Sequence, residues 1–334
     1  MQYRHQIDTM TTVTLEQVAA RAGVSASTVS RAFGRPDAVR ADTLERVLGA
    51  ARELGYTPPA SRERVPAWIV GMSVPDIANP VVMPMIKAAQ RELRREGSAI
   101  MLADVDESPE GEATLVRRLA ERVNGLVLAS TRLSDAEVRE IAAITPAVLI
   151  NREVRGVPGV TFDEVGLHQA VAHLAALGHE RIHYLGGPGN SRSDRVRTAA
   201  IRASAGKLGV EVVVIGPSQP TYEAGLRLAD IVVSVRATAV VAFNDIMALG
   251  LLSGLRIRRI AVPGHVSVTG IDDVWLDDAA APPLTSVRIP WQASGAAAVT
   301  LLERIRDGVA EIASPQLPTE LVVRASTGPR RTEP

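Results

Sequence analysis

The chain contains no cysteine. That absence excludes disulfides, thiolate nucleophiles and any zinc or iron–sulfur centre held by sulfur, and it agrees with a reducing compartment. An excess of one charge is also missing: Lys+Arg and Asp+Glu number 37 each, so there is no global basic field. Contact with nucleic acid would have to come from a local surface. Lysine itself is nearly absent, with only Lys87 and Lys207. Beside so many alanines, this arginine bias reads as coding composition and not as function. No apolar run approaches the roughly eighteen uncharged residues of a membrane span, and the first ten residues, MQYRHQIDTM, lack the apolar stretch of a secretory signal. A cytoplasmic protein with no membrane partner is expected.

What is present points to a folded chain. Its 334 residues are 46% hydrophobic and 22% charged, which argues against disorder and is enough for about two domains burying roughly three quarters of their unfolded surface. Residues 14–58 read as three short helices. Leu15, Val18, Ala19 and Ala22 mark one apolar face, Val29, Ala32 and Phe33 a second, and Leu44, Val47, Leu48, Ala51 and Leu54 a third. Gly55 suits a helix C-cap, and Pro58 and Pro59 follow as stop signals. The segment 59–67, PASRERVPA, has the composition of a linker. From Trp68 onward short apolar β-type runs alternate with amphipathic segments, which predicts parallel sheets with helices on both faces. Two such units, joined near 161 and near 288, fit the length better than one sheet.

Within 14–58 the spacing of Ala19, Gly23 and Val29 meets the needs of a helix-turn-helix: a small residue at the crossing, a turn residue tolerant of positive φ, and a branched apolar residue in the second helix. Ser25 is a good N-cap for that helix, whose first amides would face a phosphate. Ala26, Ser27, Ser30 and Arg31 are then left to face a DNA groove. Arg31 has the bidentate geometry for guanine, Ala26 offers a methyl to thymine and Ser27 a small polar group. The plainer alternative is a helical cap on an enzyme domain, with Arg31 a solvated surface residue. Eight arginines against six acidic residues over 14–66 favour DNA.

The segment TLEQVAARAGVSASTVSRAF, followed by ADTLERVLGAARELGYTP, resembles the lactose/galactose repressor (LacI/GalR) family of bacterial transcription regulators. Downstream, VPDIANP, DEVGLHQAVAHLAALGHERIHYLGGP, AFNDIMALGLL, VPGHVSVTGIDD and PPLTSVRIP resemble that family's two-lobed, periplasmic-binding-protein-like effector domain. The resemblance covers roughly residues 11–328. It implies a homodimer on a pseudo-palindromic operator, with a small molecule between the lobes shifting DNA affinity. It adds Thr14 and Thr28 to the candidate DNA contacts. Family members usually carry a hinge helix whose leucine wedges into the minor groove. Here the hinge is about three residues shorter, contains Pro59 and Pro66, and offers Val65 alone as a wedge.

For the effector, the resemblance implies Asn79, Asn151 or Arg152, Arg197 with Arg195 as second choice, Asn244, Asp272, and Trp291 at the pocket edge. Amides, carboxylates and arginines arriving from strand ends suit a hydroxyl-rich ligand. The plainer reading of each is a strand-end cap or loop hydrogen bond. Sugars usually stack on aromatic faces, yet aromatics are only 3% of this chain, so Phe162, Tyr222 and Phe243 are the other possible walls, with core packing favoured for Phe243. Val81 and Val82 replace a family-typical aromatic pair, and Ile289 replaces a glutamine, so a ligand that is not a sugar stays open. LGGPGNS at 185–191 lacks the spacing and the lysine of a nucleotide loop. His168, His173, His179 and His183 do not share one helical face and read as surface or capping residues. Asp104, Asp106 and Glu107 read as a solvated loop.

The expected fold is therefore α/β. Residues 1–13 form an extension, 14–58 the DNA-binding helices and 59–67 the hinge. One lobe takes about 68–160 and 289–318, the other about 161–288 and 319–328, and 329–334 form a tail. The expected function is a ligand-responsive transcriptional repressor that is no enzyme, needs no cofactor or metal, and forms homodimers but not tetramers, the tail having no leucine heptad. The alternative is a cytoplasmic solute-binding or enzyme-like α/β protein with no operator. The hinge composition predicts that Val65→Ala leaves operator affinity unchanged, measured by anisotropy. A loss of about tenfold or more would mean that Val65 is inserted into DNA.

Overall fold

The computed structural model describes residues 13–34, 36–56, 68–94 and 97–331; Val65 and the rest of the hinge lie outside them. The chain divides into two compact units, Met1–Ala67 and Trp68–Pro334.

In the first unit α1 (Leu15–Ala22) begins in a capping box, in which the Gln17 amide donates to Thr14 Oγ1 at 3.4 Å and the Thr14 amide donates to Gln17 Oε1 at 2.7 Å. Gly23, at φ 64°, closes α1 with its amide on Ala19 and Ala20, a backbone state that a side chain would strain. The chain then turns into α2 (Ala26–Gly34), passes a 3-10 turn at Pro36–Ala38, and enters α3 (Ala41–Leu54). Val18, Ala19, Ala22, Val29, Ala32, Val47, Ala50 and Ala51 form the core, and Phe33 meets Tyr56 at 5.9 Å between ring centroids. One expected core position is corrected. Leu48 is exposed, because the inward face of α3 is made by Val47, Ala50 and Ala51.

The second unit holds two six-stranded sheets. The first, in the order β11-β5-β4-β3-β1-β2, comprises β1 (Ile69–Val74), β2 (Ala99–Asp104), β3 (Gly125–Ala129), β4 (Ala147–Ile150), β5 (Gly159–Phe162) and β11 (Gln316–Leu317), all parallel. The second, in the order β12-β10-β9-β8-β6-β7, comprises β6 (Arg181–Leu185), β7 (Glu211–Ile215), β8 (Ala239–Ala242), β9 (Ser267–Asp272), β10 (Thr285–Arg288) and β12 (Glu320–Val322). Only the β10–β12 pairing of this sheet is antiparallel. Strands covered on both faces need apolar residues throughout. Accordingly β3, β4 and β8 are buried along their whole length. Period-two alternation sends Val127 and Ala129 to the core beneath α4 (Val82–Arg94) and α11 (Trp291–Arg306). Leu126 and Leu128 go to the opposite core under α5 (Pro109–Ala120) and α6 (Asp135–Ile144). The second sheet shares one core with α7 (Val165–Ala176), α8 (Arg192–Leu208), α9 (Tyr222–Ser234) and α10 (Asp245–Ile257).

The chain passes between the sheets three times: after Phe162, between Arg288 and Trp291, and between Leu317 and Glu320. The first passage lies beside the expected junction near 161, and Thr161 and Phe162 still pair with β11. Thr285–Arg288, within the PPLTSVRIP segment, forms the buried strand β10. At the start of the tail the Arg330 amide donates to the Leu177 carbonyl at 2.8 Å and its guanidinium meets Glu180 at 2.7 Å, which holds Arg330 on the second lobe.

Helices α9 and α10 approach so closely that a Cβ on Gly250 would overlap the Tyr222 carbonyl and one on Gly225 would overlap that of Met247. Gly250→Ala is therefore expected to destabilise the second unit by about 1–3 kcal/mol or more, read as a lowered urea midpoint. An unchanged midpoint would mean the helices are not in this contact.

Candidate functional site

Two surfaces gather the expected functional residues, one in each unit. In the first, Ser25 accepts the Thr28 amide at 3.2 Å and so caps α2, while its Oγ lies 2.9 Å from Ser27 Oγ and 2.8 Å from Thr28 Oγ1. Val29 and Ala32 turn into the core, and Ala26 is half-buried against it. Ser27, Ser30 and Arg31 are exposed. Arg31 Nε donates to the Ser27 carbonyl at 3.3 Å, and among the described residues it has no carboxylate partner. Arg21, by contrast, is tied to Glu53. Thr14 is exposed, and its capping box leaves it at the start of α1. Val65 lies outside the described residues.

In the second unit a cleft opens between the two sheets at the C-terminal ends of their strands, where parallel sheets place their ligands. Arg197 on α8 is its best-anchored cation. One guanidinium nitrogen donates to the Phe243 carbonyl and the other lies 3.2 Å from Asp272 Oδ1, while the guanidinium carbon sits 4.6 Å from the Phe243 ring centroid. Asp272, at the end of β9, also accepts Trp291 Nε1 at 3.2 Å. Its φ of 123° is a strained state for a residue with a side chain. Burial pushes the Asp272 carboxyl above the usual carboxylate range, opposed by the Arg197 charge and the Trp291 N–H. Trp291 rests edge-on against Phe162, 5.0 Å between centroids at 70°. Three expected residues, Arg197, Asp272 and Trp291, thus form one connected wall, and Phe162 backs it.

Asn151, at φ 62° after β4, donates to Ser130 Oγ at 3.1 Å and to Ser193 Oγ at 3.0 Å, so it joins the first sheet to the start of α8 across the cleft. Asn79 lines the cleft and accepts the Val81 amide at 3.2 Å. Asn244 also lines it, but it caps α10 by accepting the Met247 amide at 2.9 Å, and its amide nitrogen donates to Pro220. Most of its hydrogen-bonding capacity is already spent.

Four expectations are corrected. Arg152 faces away from the cleft and clamps the β3–α6 loop, donating to the Thr131 and Leu133 carbonyls and to Asp135 at 2.8 Å. Arg195 is exposed and outside the lining, because on a helix two residues from Arg197 it points to another face. Tyr222 is 41% exposed and lies off the cleft. Among the histidines, His179 and His183 are buried, and His179 bonds Thr238, Ser267 and the Gly328 carbonyl. Burial lowers the pKa of both. No cluster able to hold a metal ion occurs among the described residues.

Glu107 is misjudged by the sequence reading. It lines the cleft and pairs with Arg132, a lining residue not anticipated. The signal was available, since Glu107 follows β2 and Arg132 follows β3, both at the carboxyl ends of parallel strands. Asp76, Met85, Ser130, Ser191 and Ser193 are among the other lining residues that were not anticipated.

Beneath the cleft Asp245 is fully buried, accepting Ser286 Oγ at 2.6 Å and the Val274 amide at 3.1 Å. Asp277 is buried beside it with no donor among the described residues. Burial pushes both carboxyls well up, helped by the Asp272 charge at Asp245 and by the Asp245 charge at Asp277.

Comparison with known proteins places these features in context. The model of the bacterial regulatory proteins, lacI family, matches residues 14–59, and that of a periplasmic binding protein-like domain matches 171–327. The HTH-type transcriptional regulator MalR of Streptomyces coelicolor is 34% identical over 95% of this chain and 97% of its own. The Lac repressor dimer bound to operator and the anti-inducer ONPF superimposes with a TM-score of 0.74 at 28% identity, over 95% of this chain and 99% of that one. The transcriptional regulator CelR in complex with cellobiose gives 0.68 at 31% identity, over 94% and 99%. Among the described residues no helix is long and apolar enough to cross a membrane.

The buried acid pair sets a pH dependence. The native chain keeps protons that the unfolded chain releases above about pH 4, so stability is full below that range and falls as pH rises, by up to about 1.4 kcal/mol per pH unit for each proton retained. Asp277→Asn is expected to flatten the decline in urea-derived stability between about pH 5 and pH 8. Parallel curves for variant and parent would show that the pair is not protonated.

Proposed function

Since this chain belongs to the lacI family of bacterial regulatory proteins, we propose that it is a repressor whose operator affinity is set by a neutral or polar small molecule, carbohydrate in character, held in the cleft. It is a DNA-binding transcriptional regulator. The observation that carries the ligand reading is the Arg197–Asp272–Trp291 wall, which brings a guanidinium, a carboxylate and an indole to one small volume. Charged hydrogen bonds to hydroxyls and an apolar face against a ring are the physical elements of sugar recognition. Cellobiose in the CelR complex agrees with this class.

On the DNA side, Ser27, Ser30 and Arg31 read the major groove, with Arg31 on a guanine, and the capped start of α2 lies on a phosphate. Thr14, Ser25, Ala26 and Thr28 support that docking, and Val65 belongs to the hinge. Two copies, as in the Lac repressor dimer, would set two such helices about 34 Å apart on a pseudo-palindrome. Such a protein works at the chromosome, which in a bacterium is in the cytoplasm. The effector acts only as far as it prefers one lobe arrangement over the other, typically about 1–3 kcal/mol.

Anisotropy against DNA from the chain's own promoter region and a scrambled control, at one salt concentration, tests the reading. Arg31→Ala is expected to cost about 1–3 kcal/mol at the specific site and little on the control. Equal weak binding of the parent protein to both DNAs would refute operator recognition.

A further inference from the structure

The cleft contains two guanidinium groups and neither is free. Arg197, from the second lobe, is held by Asp272. Arg132, from the first lobe, is held by Glu107, and both members of that pair line the cleft. Asp76 is a further lining carboxylate, and neither lysine nor histidine is present in the lining. Formal charges in the lining therefore number three negative and two positive, each positive one already neutralised on its own lobe.

Two helix N-termini at the cleft, those of α8 and α10, are spoken for in the same way. Ser191 accepts the Asp194 amide at 3.2 Å at the start of α8, and Asn244 accepts the Met247 amide at the start of α10. In the first turn of α8, the Asp194 carboxylate accepts the Gly187 amide at 2.7 Å and the Tyr184 hydroxyl at 2.9 Å. An anionic ligand would have to displace Glu107 or Asp272 from its arginine, or enter beside carboxylates with no cation to meet it; either is unfavourable in a partly dehydrated site.

The first-lobe pair is built, and is no accident of surface side chains. The Arg132 side chain is 9% exposed. Its own amide donates to Glu112 Oε2 at 3.0 Å, and Arg152 grips the adjacent Thr131 carbonyl at 2.9 Å. Glu107 stands on a backbone at φ 53°, preceded by Asp106 at φ 48°, both left-handed without being glycine. The Glu107 amide donates to the Pro75 carbonyl at 2.7 Å and the Asp106 amide to Asp104 Oδ1 at 3.0 Å, which together keep this strained turn in place. Arg132 takes only Oε2 of Glu107 among the described residues. A carboxylate oxygen beside guanidinium N–H groups then matches a hydroxyl that donates to one and accepts from the other, the pattern of adjacent hydroxyls on a sugar ring.

The geometry points to Glu107 as a specificity-determining residue: by neutralising Arg132 inside the cleft it selects uncharged, hydroxyl-rich ligands and rejects sugar acids and sugar phosphates. The inference rests on the cleft being the effector site. Glu107→Gln keeps the size of the side chain and removes its charge, which releases Arg132 toward an anion.

The test uses full-length parent protein, Glu107→Gln, and the double variant Glu107→Gln/Arg132→Gln. Each is titrated calorimetrically with the neutral probes glucose, cellobiose and ribose and with the anionic probes glucuronate and glucose 6-phosphate. The parent is expected to bind a neutral probe and neither anion. Glu107→Gln is expected to raise the ratio of anion to neutral affinity at least tenfold, and the double variant, neutral again, to lose that gain. The double variant also separates a charge effect from disturbance of the turn, because only charge predicts reversal. An anion bound by the parent as tightly as any neutral probe overturns the proposal, as does an unchanged ratio in Glu107→Gln. Operator anisotropy of the unliganded proteins is read alongside: loss of specific DNA binding by the parent would refute the regulator reading, while the ligand ratio would still judge Glu107.

Discussion

The Arg197–Asp272 pair is the contact on which the cleft depends. A buried guanidinium without its carboxylate, or the reverse, is strongly unfavourable, so each fixes the other. Through this pair α8 is tied to the end of β9, through the Phe243 carbonyl to the end of β8, and through Trp291 to the start of α11. Trp291 begins the helix that crosses back to the first sheet, where it packs on α4. One hydrogen-bonded cluster therefore joins the ends of two strands in the second lobe to a helix of the first.

That position explains how a small molecule could be felt at a distance. A ligand hydroxyl that competes for Asp272 changes what holds Arg197 and Trp291, and the latter is rooted in the other lobe. Asn151, reaching from β4 to Ser193, is a second link of the same kind. Beside them burial pushes the Asp245 and Asp277 carboxyls up, which favours their neutral forms next to the Asp272 charge.

Much of this was legible in the chain itself. Buried parallel strands announce themselves as short, wholly apolar runs, which is why AVLI, GLVLA and AVVA were read correctly, and a helix-turn-helix is recognisable from the small residues its crossing requires. Arg197, Asp272 and Trp291 were visible by resemblance. Arg152 was not, because an arginine after a strand reads alike whether it faces a ligand or braces a loop; three partners around its guanidinium decide the matter. Glu107 and Arg132 were missed because their importance is mutual: 25 residues apart in sequence, each is an ordinary loop charge until the fold pairs them. Leu48 was misplaced because periodicity alone does not fix which edge of an apolar stripe turns to the core; Ala50 is buried where Leu48 is exposed.

We propose that the cleft and the DNA-binding helices are thermodynamically coupled through Asp272. It is tested most directly by measuring operator affinity by anisotropy with and without a saturating saccharide ligand, in parent protein and in Asp272→Asn. A ligand-induced shift of about 5–150-fold is expected in the parent, corresponding to about 1–3 kcal/mol of coupling, and its loss in the variant at ligand concentrations that saturate the parent. An equal shift in both proteins would contradict it.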